Sequence, residues 1–264
     1  MKKVIAAIRV ISFPVLTLLI YTFYAIVLFF IKISGKRYES WRNRCMRIWG
    51  KVTAKIFSME INVEGTPPEP PFFIVSNHLS YIDIPVYSSV IKTTFVSKAE
   101  VKGWPLVGFM AQTLGIIFID RRKRSDVSRV NQEISDQLND LQGVILFPEG
   151  TTSPGFEILP FRPSLLQHAA ETETDVSFAA IHYETSEKDL SAHKSVCWWG
   201  PTPMLKHLFL MGQNKKITAT IKFGEHTVKN SDRKALAEDL QQQVEELFHP
   251  VIDQPVKNFE PLKF

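Results

Sequence analysis

Hydrophobic and polar positions first separate a long apolar stretch near the amino terminus from the rest of the chain. Val10–Ile31 holds 22 consecutive uncharged residues, enough for a helix to cross a bilayer core. A buried core helix is one alternative. A cleaved signal peptide behind Lys2 and Lys3 is another, but the run is long and no A-x-A-like site follows. The pattern favours retained membrane attachment, either as a span or as a segment that breaks near Pro14 and returns to the same face.

The following segment, 37–59, places apolar and basic positions on opposite sides of a helical repeat. Aromatic and apolar residues opposite basic ones are typical of a helix lying on an anionic bilayer surface. A solvated helix packed on the body is the alternative. The apolar stripe consists of Trp41, Cys45, Ile48, Val52 and Ile56.

Beyond a proline-rich connector at 66–71, strand-like and helix-like patterns alternate, which predicts an α/β layered domain. Several predicted strands are apolar on both faces, as expected where helices cover both sides of a sheet. The strands are predicted at 72–76, 93–97, 115–120, 143–147, 176–183, 195–199 and 217–223, and the helices near 82–90, 104–113, 125–141, 162–171, 203–211 and 232–247. This divides the chain into a membrane-attached helical region (1–59), an α/β domain (60–250) and an irregular tail (251–264).

Charge sharpens that division. Residues 1–59 carry eleven basic side chains and one acidic side chain, whereas the remainder carries 20 basic and 26 acidic ones. A basic region on a mildly acidic body indicates an anionic partner, and the uncharged stretch favours a membrane over nucleic acid. The heavier basic cluster follows the apolar stretch, which places the body on the cytoplasmic side. Cys45 and Cys197 are the only cysteines, which agrees with a reducing compartment.

The first candidate for chemistry is "FIVSNHLSYIDIP" (73–85), a predicted strand running into a predicted helix. His78 lies at the carboxyl end of the strand, where ligand sites cluster in α/β folds. Residues five apart on one helix diverge by roughly 140°. His78 can therefore face Asp83 only if it lies in the turn, where Asp83 would fix its tautomer and leave a base. The common alternative is a polar turn in which Asn77 or Ser80 caps the helix.

Two more strand ends carry polar residues. "GIIFIDRRKR" (115–124) delivers Arg121 and Arg122 to a junction where they could hold a phosphate, although a solvated basic loop is the commoner meaning of such a run. "LFPEGTTSPG" (146–155) could present backbone N–H groups to an anion, with Glu149 projecting from its tip. It lacks the G-x-x-x-x-G-K-[ST] pattern of a Walker loop.

Missing motifs narrow the chemistry further. The chain has no G-x-S-x-G elbow, which disfavours an α/β-hydrolase serine. It has no H-E-x-x-H, and the histidines other than His78 show no compact ligand spacing, so we expect no metal site. A base without a nearby nucleophile of its own fits a reaction in which the substrate supplies the hydroxyl.

In their order along the chain, "NHLSYID", "GIIFIDR" and "FPEGTTS" resemble the motifs of the glycerolipid acyltransferase family, which includes the 1-acylglycerol-3-phosphate acyltransferases. The resemblance covers roughly residues 60–185. It implies a mixed, largely parallel central sheet with helices on both faces. It also implies fatty acyl transfer from acyl-CoA or acyl carrier protein to a lysolipid hydroxyl, at a bacterial inner membrane or its equivalent. No cofactor beyond the acyl co-substrate is implied.

The resemblance also implies roles for individual residues. His78 would be the general base and Asp83 would orient it, with direct attack on the thioester and no acyl-enzyme. Arg121 would be the best candidate for the acceptor's phosphate. The implied acceptor-binding group consists of Arg121, Glu149, Gly150, Thr151 and Thr152.

Two departures bear on the acceptor. Thr152 stands where many phosphatidate-forming members have arginine, which removes a charge-assisted contact, and Arg122 or Arg162 could substitute. Phe178 stands where the family usually has proline. The predicted acceptor is 1-acyl-sn-glycerol-3-phosphate, giving phosphatidic acid, with another lysolipid such as lyso-ornithine lipid as the alternative. A non-catalytic membrane lipid-binding protein and a thioester hydrolase are the rival functions.

Overall fold

A computed structural model describes residues 1–120 and 126–256, and within that part a seven-stranded sheet forms the centre of the molecule. Its spatial order is β1-β7-β6-β2-β5-β3-β4. Neighbouring strands are parallel except β6 and β7, which are antiparallel. The strands are β1 (Met59–Glu64), β2 (Phe73–Ser76), β3 (Thr93–Lys98), β4 (Ile117–Ile119), β5 (Gly143–Leu146), β6 (Val176–Thr185) and β7 (Ile217–Phe223).

Helices lie on both faces of this sheet and at the amino terminus. They are α1 (Lys2–Ile33), α2 (Glu39–Ile56), α3 (Asp83–Val90), α4 (Val107–Thr113), α5 (Asp126–Gln137), α6 (Gln167–Glu171), α7 (Ala192–Ser195), α8 (Met204–Met211) and α9 (Arg233–Leu247). Short 3₁₀ turns occupy Ala99–Gly103 and Pro163–Leu166. The prediction of a mixed, largely parallel sheet flanked by helices is confirmed.

Two apolar clusters form the core, one on each side of the sheet. Alternation along β2 shows the division, because Ile74 faces one cluster while Phe73 and Val75 face the other. The Ile74 side is covered by α2, α3 and α8, and the opposite side by α5, α6 and α9. The first cluster also contains Phe147, which places it beneath the motif that follows β2.

The prediction of a strand at 195–199 is wrong. The segment follows α7, and the N–H groups of Val196 and Cys197 donate to the Ala192 carbonyl at 2.8 and 2.9 Å, as in a helical turn. The Trp198 N–H donates to the Leu79 carbonyl at 2.8 Å. These bonds satisfy the backbone without a ladder, and the run is apolar because it is buried.

A strand at Met59–Glu64, β1, is missing from the prediction. It pairs in parallel with β7 over six positions and forms an edge of the sheet. Its sequence MEINVE alternates apolar and polar residues at every position, which is a strand pattern, so a local signal for β1 was present and was missed.

Helix α1 is long and apolar enough to cross a membrane, judged by length and composition alone. It runs unbroken through Pro14, so of the two geometries left open by the sequence the structure does not have the one with a break there. Contacts with the body occur along much of its length. Arg9 donates to the carbonyls of Gly212 and Asn214 at 3.0 and 2.6 Å, and the Tyr24 hydroxyl donates to the Thr113 carbonyl at 2.8 Å.

Candidate active site

The side chain of Asn77 extends the sheet for one step after β2 ends at Ser76. Its Oδ1 accepts from the Ile181 N–H at 2.7 Å and its Nδ2 donates to the Ile181 carbonyl at 3.0 Å. Asn77 is 1% exposed. An amide thus replaces the backbone ladder towards β6, which lets the main chain leave the sheet and turn towards α3. This role differs from the helix cap considered for Asn77.

The turn brings His78 onto Asp83, the first residue of α3. His78 Nδ1 lies 2.7 Å from Asp83 Oδ2. The same oxygen accepts the N–H groups of Leu79 at 2.8 Å and Ser80 at 3.1 Å. Asp83 Oδ1 accepts from the Tyr183 hydroxyl at 2.7 Å. The structure therefore brings the predicted pair together, with His78 in the turn and Asp83 in the first helical turn.

The opposite nitrogen of His78 is left to act as a base. Because the Asp83 carboxylate is an acceptor, Nδ1 donates to it and Nε2 keeps its lone pair. The ring stacks on Phe147 with centroids 4.1 Å apart and planes 11° apart. The side chain of His78 is 19% exposed whereas that of Asp83 is fully buried. A fixed imidazole with a buried partner and an accessible nitrogen is suited to proton removal.

Glu149 does not project from its loop, in contrast to the expectation from sequence. It is 2% exposed and turns inward, where Oε1 accepts the His78 N–H at 2.7 Å and Oε2 accepts the Leu159 N–H at 3.1 Å. Burial raises the pKa of Glu149 to about 8, and the charge of Asp83 acts in the same direction while the two N–H donors oppose it. Its carboxyl group joins the turn between β2 and α3 to the loop that follows β5.

Other predicted residues of this loop lie beside His78. Gly150 has φ of +74°, which favours glycine, and its N–H donates to the Phe147 carbonyl at 3.1 Å. Gly150, Thr151 and Thr152 line the same cavity as His78.

Arg162 holds the loop from behind. Its Nε donates to the Glu149 carbonyl at 3.1 Å and its N–H donates to the Pro148 carbonyl at 3.0 Å. Burial lowers the pKa of Arg162. Arg121 and Arg122 lie outside the described residues, so their predicted roles stay predictions.

A cavity of about 480 Å³ opens at His78 and runs between the sheet domain and the amino-terminal helices. Its walls are mostly apolar and include Trp49 of α2, Met110 of α4 and Tyr21 of α1. Lys98, at the end of β3, also lies in the wall. Sequence reasoning missed Lys98, although its place at a strand's carboxyl end was a usable signal.

Tyr183 and Phe147 are contacts of the His78–Asp83 pair that sequence reasoning did not find. Phe147 was within a recognised motif, but its stacking on His78 depends on the turn geometry. Tyr183 is 100 residues from Asp83 in the chain, so no local pattern connects them. Among the described residues, no group of three or more His, Cys, Asp or Glu could hold a metal ion.

Comparison with known proteins agrees with this arrangement. The sequence model of the Acyltransferase family matches residues 60–184, which contain both the turn between β2 and α3 and the loop after β5. A lyso-ornithine lipid O-acyltransferase of Pseudomonas aeruginosa is 32% identical over 214 residues, covering 81% of each chain. A 1-acyl-sn-glycerol-3-phosphate acyltransferase of Neisseria meningitidis is 31% identical over 216 residues, covering 80% of this chain and 83% of that one.

A solved structure shows the same fold. The 1-acyl-sn-glycerophosphate acyltransferase of Thermotoga maritima superposes with a TM-score of 0.65 at 21% identity, covering 94% of this chain and 98% of that chain. This structural match covers more of the chain than the 60–184 range of the family model. The chain belongs to the acyltransferase family that contains the 1-acylglycerol-3-phosphate acyltransferases.

Proposed function

We propose that this acyltransferase moves a fatty acyl group from an acyl thioester to the free hydroxyl of a lysolipid, with His78 as general base. The observation that carries the proposal is the 2.7 Å contact between His78 Nδ1 and a fully buried Asp83, in the wall of a largely apolar cavity. The two bacterial relatives described above are named as acyltransferases of lysolipids, which supports the same substrate class.

The reaction then runs in one displacement on the thioester. The acceptor hydroxyl oxygen attacks the carbonyl carbon while its proton passes to His78 Nε2. The new C–O bond forms, the C–S bond breaks, and the thiolate takes up the proton as a thiol. Asp83 stabilises the imidazolium that exists between the two proton transfers. The stack on Phe147 and the Asp83 bond hold the ring in place. Because the acceptor hydroxyl is itself the nucleophile, the reaction needs no acyl-enzyme.

The cavity supports a lipid substrate on physical grounds. Apolar side chains of α1, α2 and α4 face it. An acyl chain placed there is transferred from water to an apolar surrounding, which lowers its free energy. We propose that acyl-CoA or acyl carrier protein delivers the thioester from outside while the chain occupies the cavity.

For the acceptor we propose 1-acyl-sn-glycerol-3-phosphate. Lys98 in the cavity wall supplies a positive charge for a phosphate, and Arg121 follows the neighbouring strand β4 in the sequence. Lyso-ornithine lipid is the second candidate, and Thr152 favours it. This residue lines the cavity at the position where an arginine would strengthen phosphate binding.

Membrane association follows from α1, whose outward side exposes apolar residues such as Leu19 and Phe30. We propose that α1 lies in the bilayer interface beside the body, since its inner side bonds to the body from Arg9 to Tyr24. The cytoplasmic orientation predicted from the basic flank stays a prediction.

A lysolipid panel tests the proposal. Purified protein in detergent receives labelled acyl-CoA or acyl carrier protein with 1-acylglycerol-3-phosphate, lyso-ornithine lipid, or lysophosphatidylethanolamine. We expect labelled phosphatidic acid as the main product and a much lower rate with the third acceptor. Labelled ornithine lipid alone would select the second candidate. Free fatty acid that forms regardless of acceptor would indicate a hydrolase, and no turnover with any donor would support a non-catalytic lipid-binding protein.

A further inference from the structure

We propose that Tyr183 is a positioning residue of the catalytic pair, holding through Asp83 the basicity and orientation of His78. The inference rests on the proposed function, because it assigns Tyr183 a part in the action of His78 as a base. The contact that carries it is the 2.7 Å hydrogen bond from the Tyr183 hydroxyl to Asp83 Oδ1.

The sheet explains how a distant tyrosine reaches this carboxylate. Strand β6 continues past the end of β2, and the Asn77 amide clamps Ile181 across the gap. Side chains two positions apart on a strand share a face, so Tyr183 lies on the same face as Ile181. That face is covered by α3, whose first residue is Asp83. The hydroxyl therefore meets the carboxylate from the interior.

The two carboxylate oxygens of Asp83 accept hydrogen bonds from different groups. Oδ2 accepts three donors, namely the His78 ring and the N–H groups of Leu79 and Ser80. Oδ1 accepts the Tyr183 hydroxyl, and Asp83 is fully buried, which keeps bulk water from replacing that donor. A buried carboxylate oxygen without a donor costs folding free energy, so the Tyr183 hydroxyl stabilises the charge of Asp83. Its hydrogen bond also fixes the rotation of the carboxylate.

Other ionisable groups around the pair are few among the described residues. Glu149 approaches from the loop after β5, and its buried carboxyl interacts with the charge of Asp83. Tyr87 lies on α3 and Cys197 on the segment after α7, and both interact electrostatically with Tyr183. Burial raises the pKa of Tyr183 well above its usual value, as does the neighbouring Asp83, so the phenol stays protonated and keeps donating.

The test compares Tyr183→Phe with Tyr87→Phe. Tyr87 is a matched control because it is equally buried and its hydroxyl bonds to Ser76 Oγ at 2.6 Å instead of Asp83. Both substitutions keep the ring and remove one buried hydroxyl. Acyl transfer is measured from pH 5 to 9, a range of about four units around neutrality chosen to include the titration of a histidine.

We expect Tyr183→Phe to lower kcat on the order of ten-fold with little change in KM. The acidic limb of its kcat/KM profile should move to higher pH by about half a unit, since a less neutralised carboxylate stabilises the protonated imidazole more strongly. Tyr87→Phe should leave that limb in place even if it lowers the melting temperature. An acidic limb that does not move in Tyr183→Phe, or that moves equally in both variants, would overturn the proposal.

Two further variants keep the outcome decisive. If Tyr183→Phe does not fold, 3-fluorotyrosine at position 183 retains the hydroxyl as a stronger donor, and the limb should then move to lower pH; no movement would overturn the proposal. His78→Ala separates the two levels of inference. Full activity in that variant would remove the proposed base itself. Loss of activity there, with wild-type behaviour in Tyr183→Phe, would overturn only the role of Tyr183.

Discussion

The turn between β2 and α3 and the outward side of α1 are built in opposite ways. In the turn, polar side chains are buried and the Asp83 carboxylate meets four donors with almost no contact with solvent. On α1, large apolar side chains face outward, with Ile11, Leu19 and Phe30 between 59% and 65% exposed. The buried surroundings of the turn suit proton transfer at His78. The exposed apolar side chains of α1 suit contact with a bilayer.

We infer from this difference that the reaction depends on the turn between β2 and α3, and that membrane binding depends on the outward side of α1. The cavity is where they meet, because its wall combines His78 with side chains of α1 and α2. Substitutions in the turn should therefore reduce turnover without changing membrane binding, and substitutions on the outward side of α1 should do the reverse.

Among substitutions of the groups that surround His78, the largest effect is expected for Asp83→Asn. Asparagine keeps the size but is neutral and has one accepting oxygen, where the two Asp83 oxygens now accept from four donors, so the imidazole loses its charge partner. We expect kcat to fall on the order of 10³-fold or more, because the same substitution in the serine-protease triad costs about 10⁴-fold. Acyl transfer and vesicle sedimentation are measured on the same preparation. Loss of vesicle binding along with activity would contradict the separation.

A smaller effect is expected for Glu149→Gln. The amide can accept only one of the two N–H groups, from His78 or Leu159, that the carboxyl now accepts. We expect kcat to fall on the order of ten-fold because the catalytic turn loosens from the loop after β5. The control is Glu225→Gln, on an exposed residue outside the cavity, which should keep wild-type activity.

The stability of Glu149→Gln should also depend on pH in a defined direction. The pKa of Glu149 is raised from 4.5 to about 8, so the folded state binds this proton more tightly than the unfolded chain. Its stabilising contribution is complete below about pH 4.5 and is lost as the pH rises through about 8. The wild type should therefore lose its advantage in melting temperature over Glu149→Gln as the pH rises from about 5 to about 8. A gap that widens over this range would show that the carboxyl is charged when buried.

The smallest effect on turnover is expected from the outward side of α1. Replacing Leu19 and Ile26 by serine removes two apolar side chains that are 59% and 54% exposed. We expect binding to vesicles of phosphatidylglycerol to weaken several-fold because less apolar surface enters the interface. Turnover in detergent should stay near the wild-type rate.

Val63→Ser is the control for those substitutions, since Val63 is 41% exposed but lies on the edge strand β1. It should bind vesicles like the wild type. Equal binding by the α1 double variant and the wild type would contradict the assignment of α1 to the interface.

Much of the fold could be predicted because its signals are local. Strand β7 was predicted with its observed bounds, Ile217–Phe223, since alternating β-branched residues meet one buried face there. The run at 195–199 misled because an apolar segment can be buried without being a strand. Strand β1 was missed although MEINVE alternates apolar and polar residues. Only its pairing partner β7, more than 150 residues later in the chain, lay beyond local patterns.

Part of the candidate site could also be predicted from the sequence. His78 and Asp83 lie in one short motif, and the strand-to-helix turn was enough to expect their contact. The inward direction of Glu149 was not, because it depends on N–H groups of His78 and Leu159 that only the folded loop brings together. Tyr183 lay beyond reach for the same reason, as its partner is on another element.

The most direct test of the central claim is the rate of acyl transfer by His78→Ala against His226→Ala, which alters an exposed histidine outside the cavity. Both proteins are assayed with labelled acyl-CoA and 1-acylglycerol-3-phosphate after their folding and vesicle binding have been shown to match the wild type. If His78 is the base, His78→Ala loses at least about 10³-fold in kcat while His226→Ala keeps the wild-type rate. A folded His78→Ala protein that transfers acyl groups at the wild-type rate would contradict the account.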